Sequence, residues 1–200
     1  MNGNIMKLQL KLFGLFLIIL FFVLGYSVFS QNPESGLSVG DEVKLFNAND
    51  QNGDLWKLFD FVGKKYIVIY FYPGALTGGC TKQACSYRDY HSQLTNLNVE
   101  VVGVSSDPVK NLHLFEKIHN LNFTLLSDVN GDIAKIFGVP VRDGGKINRN
   151  IDGKEIELSR PFNISRWTYV LDLQGKIILK DTEVDAQQDS RKVLEFIKNL

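Results

Sequence analysis

Cys80 and Cys85 are the only cysteines in a 200-residue chain, and four residues separate them in "CTKQAC". A structural disulfide between them would close a very small loop, where little stabilisation comes from loop closure. Zinc and iron–sulfur centres use about four ligands at characteristic spacing. This chain offers two cysteines, His91, His113 and His119. A thioredoxin-type reductase uses Cys-x-x-Cys. A cysteine hydrolase needs an imidazole beside the thiol, and His91 would stand about 16 Å from Cys80 along a continuous helix. Two readings stay open: a reactive thiol pair, or two buried cysteines without chemistry, since free cysteine is commonly buried.

The elements around the pair favour reactivity. "YIVIYFY", 66–72, is a continuous aromatic and β-branched run, which predicts a strand buried on both faces; Pro73 ends it. From Thr81 onward Ala84, Tyr87, Tyr90, Leu94 and Leu97 recur at helical spacing. Cys80 therefore falls in the loop after a buried strand, at the mouth of a helix. Unpaired N–H groups and the positive dipole end there favour a thiolate over a thiol. If both cysteines lie on one regular helix, their Cα atoms stand about 8.6 Å apart. A disulfide spans less than about 7 Å, so pairing requires local unwinding, which suits a switch rather than a staple.

The remaining pattern predicts an α/β fold with a mixed central sheet flanked by helices. "VEVVGVS", 99–105, and "FTLLS", 123–127, read as further buried strands. Asp107 and Pro108 read as the N-cap and first residue of a helix. A short helix around 131–137 stops at Gly138. Residues 141–165 are polar and turn-rich, and Asp152-Gly153 predicts a hairpin there. "WTYVLDL" and "KIILKDT" flank Gln174-Gly175 as a second hairpin, and a last helix covers about 188–199.

Lys plus Arg equals Asp plus Glu, 22 each. A nucleic-acid binder shows a basic excess, so none is expected as a partner. The first 30 residues read as a signal peptide or N-terminal membrane anchor that engages the membrane or export machinery. Lys7 and Lys11 precede an apolar stretch from Leu12 to Phe29. The small residues near Ser30 favour a cleaved signal. Residues 31–200 then form one domain, exported to a periplasmic or other extracytoplasmic space.

The motifs resemble the peroxiredoxins, members of the AhpC/TSA family. Their signature Pro-x-x-x-Thr-x-x-Cys is matched by Pro73, Thr77 and Cys80. "CTKQAC" with the following Arg88-Asp89 is similar to the bacterioferritin-comigratory, or Q-type, branch. The likeness continues through "GVSSDP" at 103–108, "FTLLSD" at 123–128 and "SRWTYVLDLQGKI" at 165–177. It implies a thioredoxin-like fold, a monomer, and a peroxidase acting on hydrogen peroxide and organic hydroperoxides. It assigns Cys80 as peroxidatic nucleophile and Cys85 as resolving thiol, forming an intramolecular disulfide recycled by a thioredoxin-type reductant. It assigns Thr77 to hydrogen-bond thiolate and peroxide, Arg166 to favour the thiolate and hold the peroxide oxygens, and Pro73 to shield the sulfur. No cofactor or metal is implied. Taken alone, Thr77 could merely cap the helix and Arg166 could be a surface ion-pair residue, while Arg88 beside Asp89 reads as half of a structural ion pair. Two features depart from the branch: Gly78 stands where proline is usual, and the 141–165 segment is longer. Alternative functions are a peroxide-responsive redox sensor and an exported thiol–disulfide oxidoreductase, the latter disfavoured by the Cys-x4-Cys spacing.

Overall fold

Tyr66–Phe71 forms β3, and its alternate side chains enter two different cores. Val68 and Tyr70, with Tyr72 just beyond, face one side; Ile67, Ile69 and Phe71 face the other, all fully buried. An unbroken apolar run has this outcome when both faces of a sheet are covered. The computed structural model showing this describes residues 36–200. The proposed signal or anchor, residues 1–30, lies outside the described residues.

In chain order the elements are β1 (Asn47–Asp50), β2 (Leu55–Lys57), a 3-10 turn (Leu58–Asp60), β3, α1 (Gly78–Asn96), β4 (Val99–Ser105) and α2 (Val109–His119). There follow β5 (Thr124–Ser127), α3 (Asp132–Phe137), β6 (Val141–Ile151), β7 (Lys154–Ile164), β8 (Thr168–Leu171), β9 (Ile177–Asp181) and α4 (Asp189–Lys198). The main sheet has the order β2-β1-β5-β4-β3-β8-β9. β3, β4 and β5 run parallel, while β8 against β3 and β1 against β5 run antiparallel. The expected mixed sheet between helices is therefore observed. On one face Tyr70 and Val68 pack with Tyr87 and Leu94 of α1, Phe115 of α2 and Leu194 of α4. On the other, Phe71 and Tyr169 pack with Phe137 of α3 and with Phe46 and Trp56.

β6 and β7 form a separate two-stranded sheet. Its turn residues Asp152 and Gly153 both have positive φ, 51° and 79°, as a two-residue turn of the primed kind needs. Along β7 the residues Leu158, Arg160 and Ile164 are buried and Ile156 and Phe162 half-buried, a period of two that marks an inner face. Leu158 joins the same core as Ala75 and Cys80.

One boundary differs from expectation for a physical reason. Pro108, not Asp107, occupies the N-cap of α2, and no side chain caps that helix. The Asp107 carboxylate is fully buried and turned to distant partners described below. A buried charge needs a charged partner more than a helix end needs a cap.

Gly103 in β4 leaves room for Tyr70. A Cβ there would stand 2.6 Å from the Tyr70 hydroxyl oxygen and 3.0 Å from Leu125. Tyr70 is held by stacking on Tyr87 at 4.6 Å. Gly103→Ala is expected to cost about 1–3 kcal/mol through overpacking, seen as a lower urea midpoint at unchanged slope.

Candidate active site

Pro73 follows β3, and four residues later Thr77 takes the N-cap of α1 in extended conformation (φ −101°, ψ 150°). Cys80 is the third residue of that helix and 2% exposed. It lies in the turn whose N–H groups have no partner within the helix. Arg166, between β7 and β8, donates from Nη2 to Cys80 Sγ at 3.3 Å. The guanidinium and the helix N-terminus thus both stabilise negative charge on this sulfur. Thr77 donates its hydroxyl proton to the Gly74 carbonyl, 2.9 Å, rather than to the sulfur. Its side chain makes no capping bond. Pro73 and Arg166 share a cleft of about 430 Å³ with Ser165 and, from the root of the β6–β7 hairpin, Arg142, Asp143 and Asn163.

Cys85 lies five residues on along the same unbroken helix, half-buried, and both thiols are free. Helical geometry sets the two Cα atoms about 8.6 Å apart, outside disulfide reach. Arg88 pairs with Asp89 at 2.8 Å and donates to the His119 carbonyl, the structural part expected of it.

A polar chain runs from Arg166 into the core. Arg166 Nη1 donates to Gln83 Oε1, and Gln83 Nε2 donates to Asp189 Oδ2 at 2.6 Å. The same Asp189 oxygen accepts from the Tyr87 hydroxyl and from Thr168 Oγ1, each at 2.9 Å. Gln83 is fully buried and Asp189 is 2% exposed. Burial pushes the Asp189 carboxyl above its ordinary range, opposed by these three donors. Beside it, the hydroxyls of Ser86 and Ser190 bond to each other. The first turn of α4 is thereby bonded to the face of α1 that follows Cys80.

The loop before Cys80 is held by its main chain. Asp107 Oδ2 accepts from Ala75 N–H at 2.7 Å, and Arg160 Nη2 donates to the Ala75 carbonyl at 3.2 Å. The two side chains pair with each other, Arg160 Nε to Asp107 Oδ1 at 3.0 Å, at 5% and 0% exposure. Asn111 Nδ2 also donates to that Oδ1, and Ser105 Oγ to Oδ2. Arg149 of β6 donates from Nε to the Leu76 carbonyl at 2.9 Å. Leu76 has φ +59°, a left-handed conformation costly for a leucine, and this bond helps to hold it. Gly74 is needed because a Cβ would stand 2.2 Å from the Arg160 guanidinium carbon. The 141–165 segment is therefore a wall and brace of the site.

The AhpC/TSA family pattern matches residues 39–180, and the chain belongs to that family. Its relatives are Bcp, or Q-type, peroxiredoxins. A putative peroxiredoxin Bcp of Coxiella burnetii is 38% identical over 141 residues, covering 70% of this chain and 85% of that protein. Peroxiredoxin Bcp of Escherichia coli K12 is 37% identical over 164 residues, covering 81% and 96%. Among solved structures, peroxidoxin BcpB from Mycobacterium tuberculosis superposes with a TM-score of 0.68 at 30% identity, covering 82% of this chain and 98% of that one. Peroxiredoxin Q of Xanthomonas campestris gives 0.64 at 25% identity, covering 77% and 90%. The fold is thioredoxin-like, and the chain is a thiol-dependent peroxidase.

Pro73, Thr77, Cys80 and Arg166 are brought together around one helix start, while Cys85 is held off. Sequence reasoning missed Gln83, Asp107, Arg149, Arg160 and Asp189. Two signals were present: Gln83 falls on the inner helical face with Cys80, Ala84 and Tyr87, and Arg160 falls in the inward series of β7. Removing one partner of a buried ion pair leaves the other charge unpaired. Arg160→Met is expected to lower stability by about 3–5 kcal/mol, measured by urea unfolding of the reduced protein.

Proposed function

We propose that Cys80 is the peroxidatic thiolate and Cys85 the resolving thiol of a peroxidase for hydrogen peroxide and organic hydroperoxides. The observation that carries the first assignment is the Arg166 guanidinium 3.3 Å from Cys80 Sγ at the start of α1. Cys80 sulfur attacks the nearer peroxide oxygen and the O–O bond breaks. The sulfur takes that oxygen as a sulfenic acid, and the leaving alkoxide or hydroxide takes up a proton as alcohol or water. Negative charge grows on the leaving oxygen, and donors fixed in advance stabilise it. Arg166 and the free N–H groups of the first helical turn are such donors. Thr77, with its proton engaged by Gly74 O, can accept a hydrogen bond from the peroxide O–H through its lone pairs. Pro73 walls the same cleft and limits water at the sulfur.

Cys85 then displaces the sulfenic hydroxyl as water and forms the Cys80–Cys85 disulfide. The two backbones are too far apart for this while α1 is intact, so the step includes unwinding of its first turns. A thioredoxin-type dithiol returns both sulfurs to thiols by exchange. We place the enzyme outside the cytoplasm on the pattern of residues 1–30, and its reductant must then act in that compartment.

Reduced protein is expected to consume one equivalent of peroxide and lose both thiols, followed by thiol titration. Cys80→Ser should abolish consumption; retained consumption would refute the nucleophile. Cys85→Ser should react once and stop as sulfenic acid, trapped by dimedone. Sustained turnover of that variant with a thioredoxin-type reductant would exclude Cys85 as resolver.

A further inference from the structure

We propose that Asp189, the first residue of α4, is a positioning residue that acts on the two half-reactions in opposite directions. It fixes the Gln83 amide so that its carbonyl meets Arg166, which favours attack on peroxide. With Ser190 it also pins the part of α1 that must unwind, which slows disulfide formation. The second half rests on the reading of Cys85 as the resolving thiol.

The first half follows from donor and acceptor counting. An amide has one donor end and one acceptor end. Asp189 Oδ2 already accepts from Tyr87 and Thr168, so it presents lone pairs, not protons, to Gln83. The Gln83 NH2 therefore faces Asp189 and its carbonyl faces Arg166, as observed. With the amide reversed, NH2 would face the guanidinium and two donors would oppose each other. Gln83 is fully buried, so water does not repair that mismatch. Asp189 thus reaches the guanidinium at Cys80 without touching sulfur or substrate.

The second half follows from where the bonds fall. Gln83 lies between the two cysteines, and Ser86 and Tyr87 lie just beyond Cys85. All three are bonded to Asp189 or Ser190. Unwinding that brings Cys85 to Cys80 draws Gln83 and its neighbours off α4. On the other side the loop through Leu76 is held by Arg149, Arg160 and Asp107. Between the two anchors stand Gly78 and Gly79, and a Cβ at Gly78 would meet nothing within 4 Å. Motion is therefore concentrated between Gly78 and Cys85, and the bonds to α4 resist it.

The titratable groups acting on Asp189 are Tyr87, Tyr70 and Asp181; those acting around Cys80 are Arg166, Tyr70 and Tyr72. Ser190→Ala alters none of these charges. Asp189→Asn removes one carboxylate, a loss that by itself favours the thiolate and moves the profile to lower pH, so a shift to higher pH reports on the arrangement of Arg166.

Full-length reduced wild type, Asp189→Asn and Ser190→Ala are compared in two assays. The first follows iodoacetamide alkylation of Cys80 across a pH series, located by mass spectrometry. The second adds graded excess hydrogen peroxide and measures Cys80–Cys85 disulfide against Cys80 sulfinic acid. Asp189→Asn should shift the alkylation profile to higher pH and slow it about fivefold at neutral pH, the size one lost hydrogen bond supports. It should also lower the sulfinic fraction. Ser190→Ala should leave the alkylation profile in place and lower the sulfinic fraction alone. If Asp189→Asn changes neither readout, or slows attack while raising the sulfinic fraction as general loosening would, the proposal is overturned. If Asp189→Asn does not fold, Gln83→Met decides the first half by the same profile and Ser190→Ala the second. Wild type forming no Cys80–Cys85 disulfide refutes the resolving role and with it the pinning half, while the alkylation profile still decides the other. Disulfide formation in wild type with unchanged partition in both variants refutes the pinning alone.

Discussion

Five helical steps hold Cys80 and Cys85 about 8.6 Å apart, and the site is organised around that separation. The first sulfur gains from the helix being intact. Its place in the first turn exposes it to free N–H groups, and Arg166 completes the cation side. The second sulfur is withheld by the same helix. On the proposed assignment one element activates one thiol and delays the other, so the order of the two proposed steps is built into secondary structure. Neither step asks for a change in the sheet, whose strands β3, β4 and β8 are buried on both faces.

Around the helix start the chain divides into held and unheld parts. The loop from Gly74 to Thr77 has its carbonyls taken by Thr77, Arg160, Arg149 and the Thr81 N–H in turn. The later part of α1 is fixed to α4 and stacked through Tyr87 on Tyr70. The buried Asp107–Arg160 pair is a costly device in isolation, because two charges must leave water. It is tolerable here because both groups also satisfy Ala75, and Asp107 accepts further bonds from Asn111 and Ser105.

Local chemistry made much of the fold legible. The run 66–72 and the run 99–105 became central parallel strands, Asp152-Gly153 and Gln174-Gly175 became hairpin turns, and Gly138 ended a short helix. The relation of Pro73 and Thr77 to Cys80 was legible because it is written in spacing along one short segment. What stayed hidden depends on partners far away in sequence. Asp107 meets Arg160 across 53 positions, and Gln83 meets Asp189 across 106. Locally, Asp107 before a proline reads as a cap, and only the buried arginine explains why it is not. The hairpin read as a polar excursion because its outer residues are charged; its inner face is set by alternation that one arginine interrupts.

The hairpin's two arginines reach past the side chains of the loop and bind Ala75 and Leu76 at their carbonyl oxygens. Every amino acid carries that oxygen. The grip therefore does not depend on the side chains at those two positions, provided they fit the buried space and, at position 76, the left-handed backbone. The path of the chain into Cys80 is thus set by main-chain anchors, and the buried side chains of Ala75 and Leu76 are left to the single task of filling the core beside the sulfur.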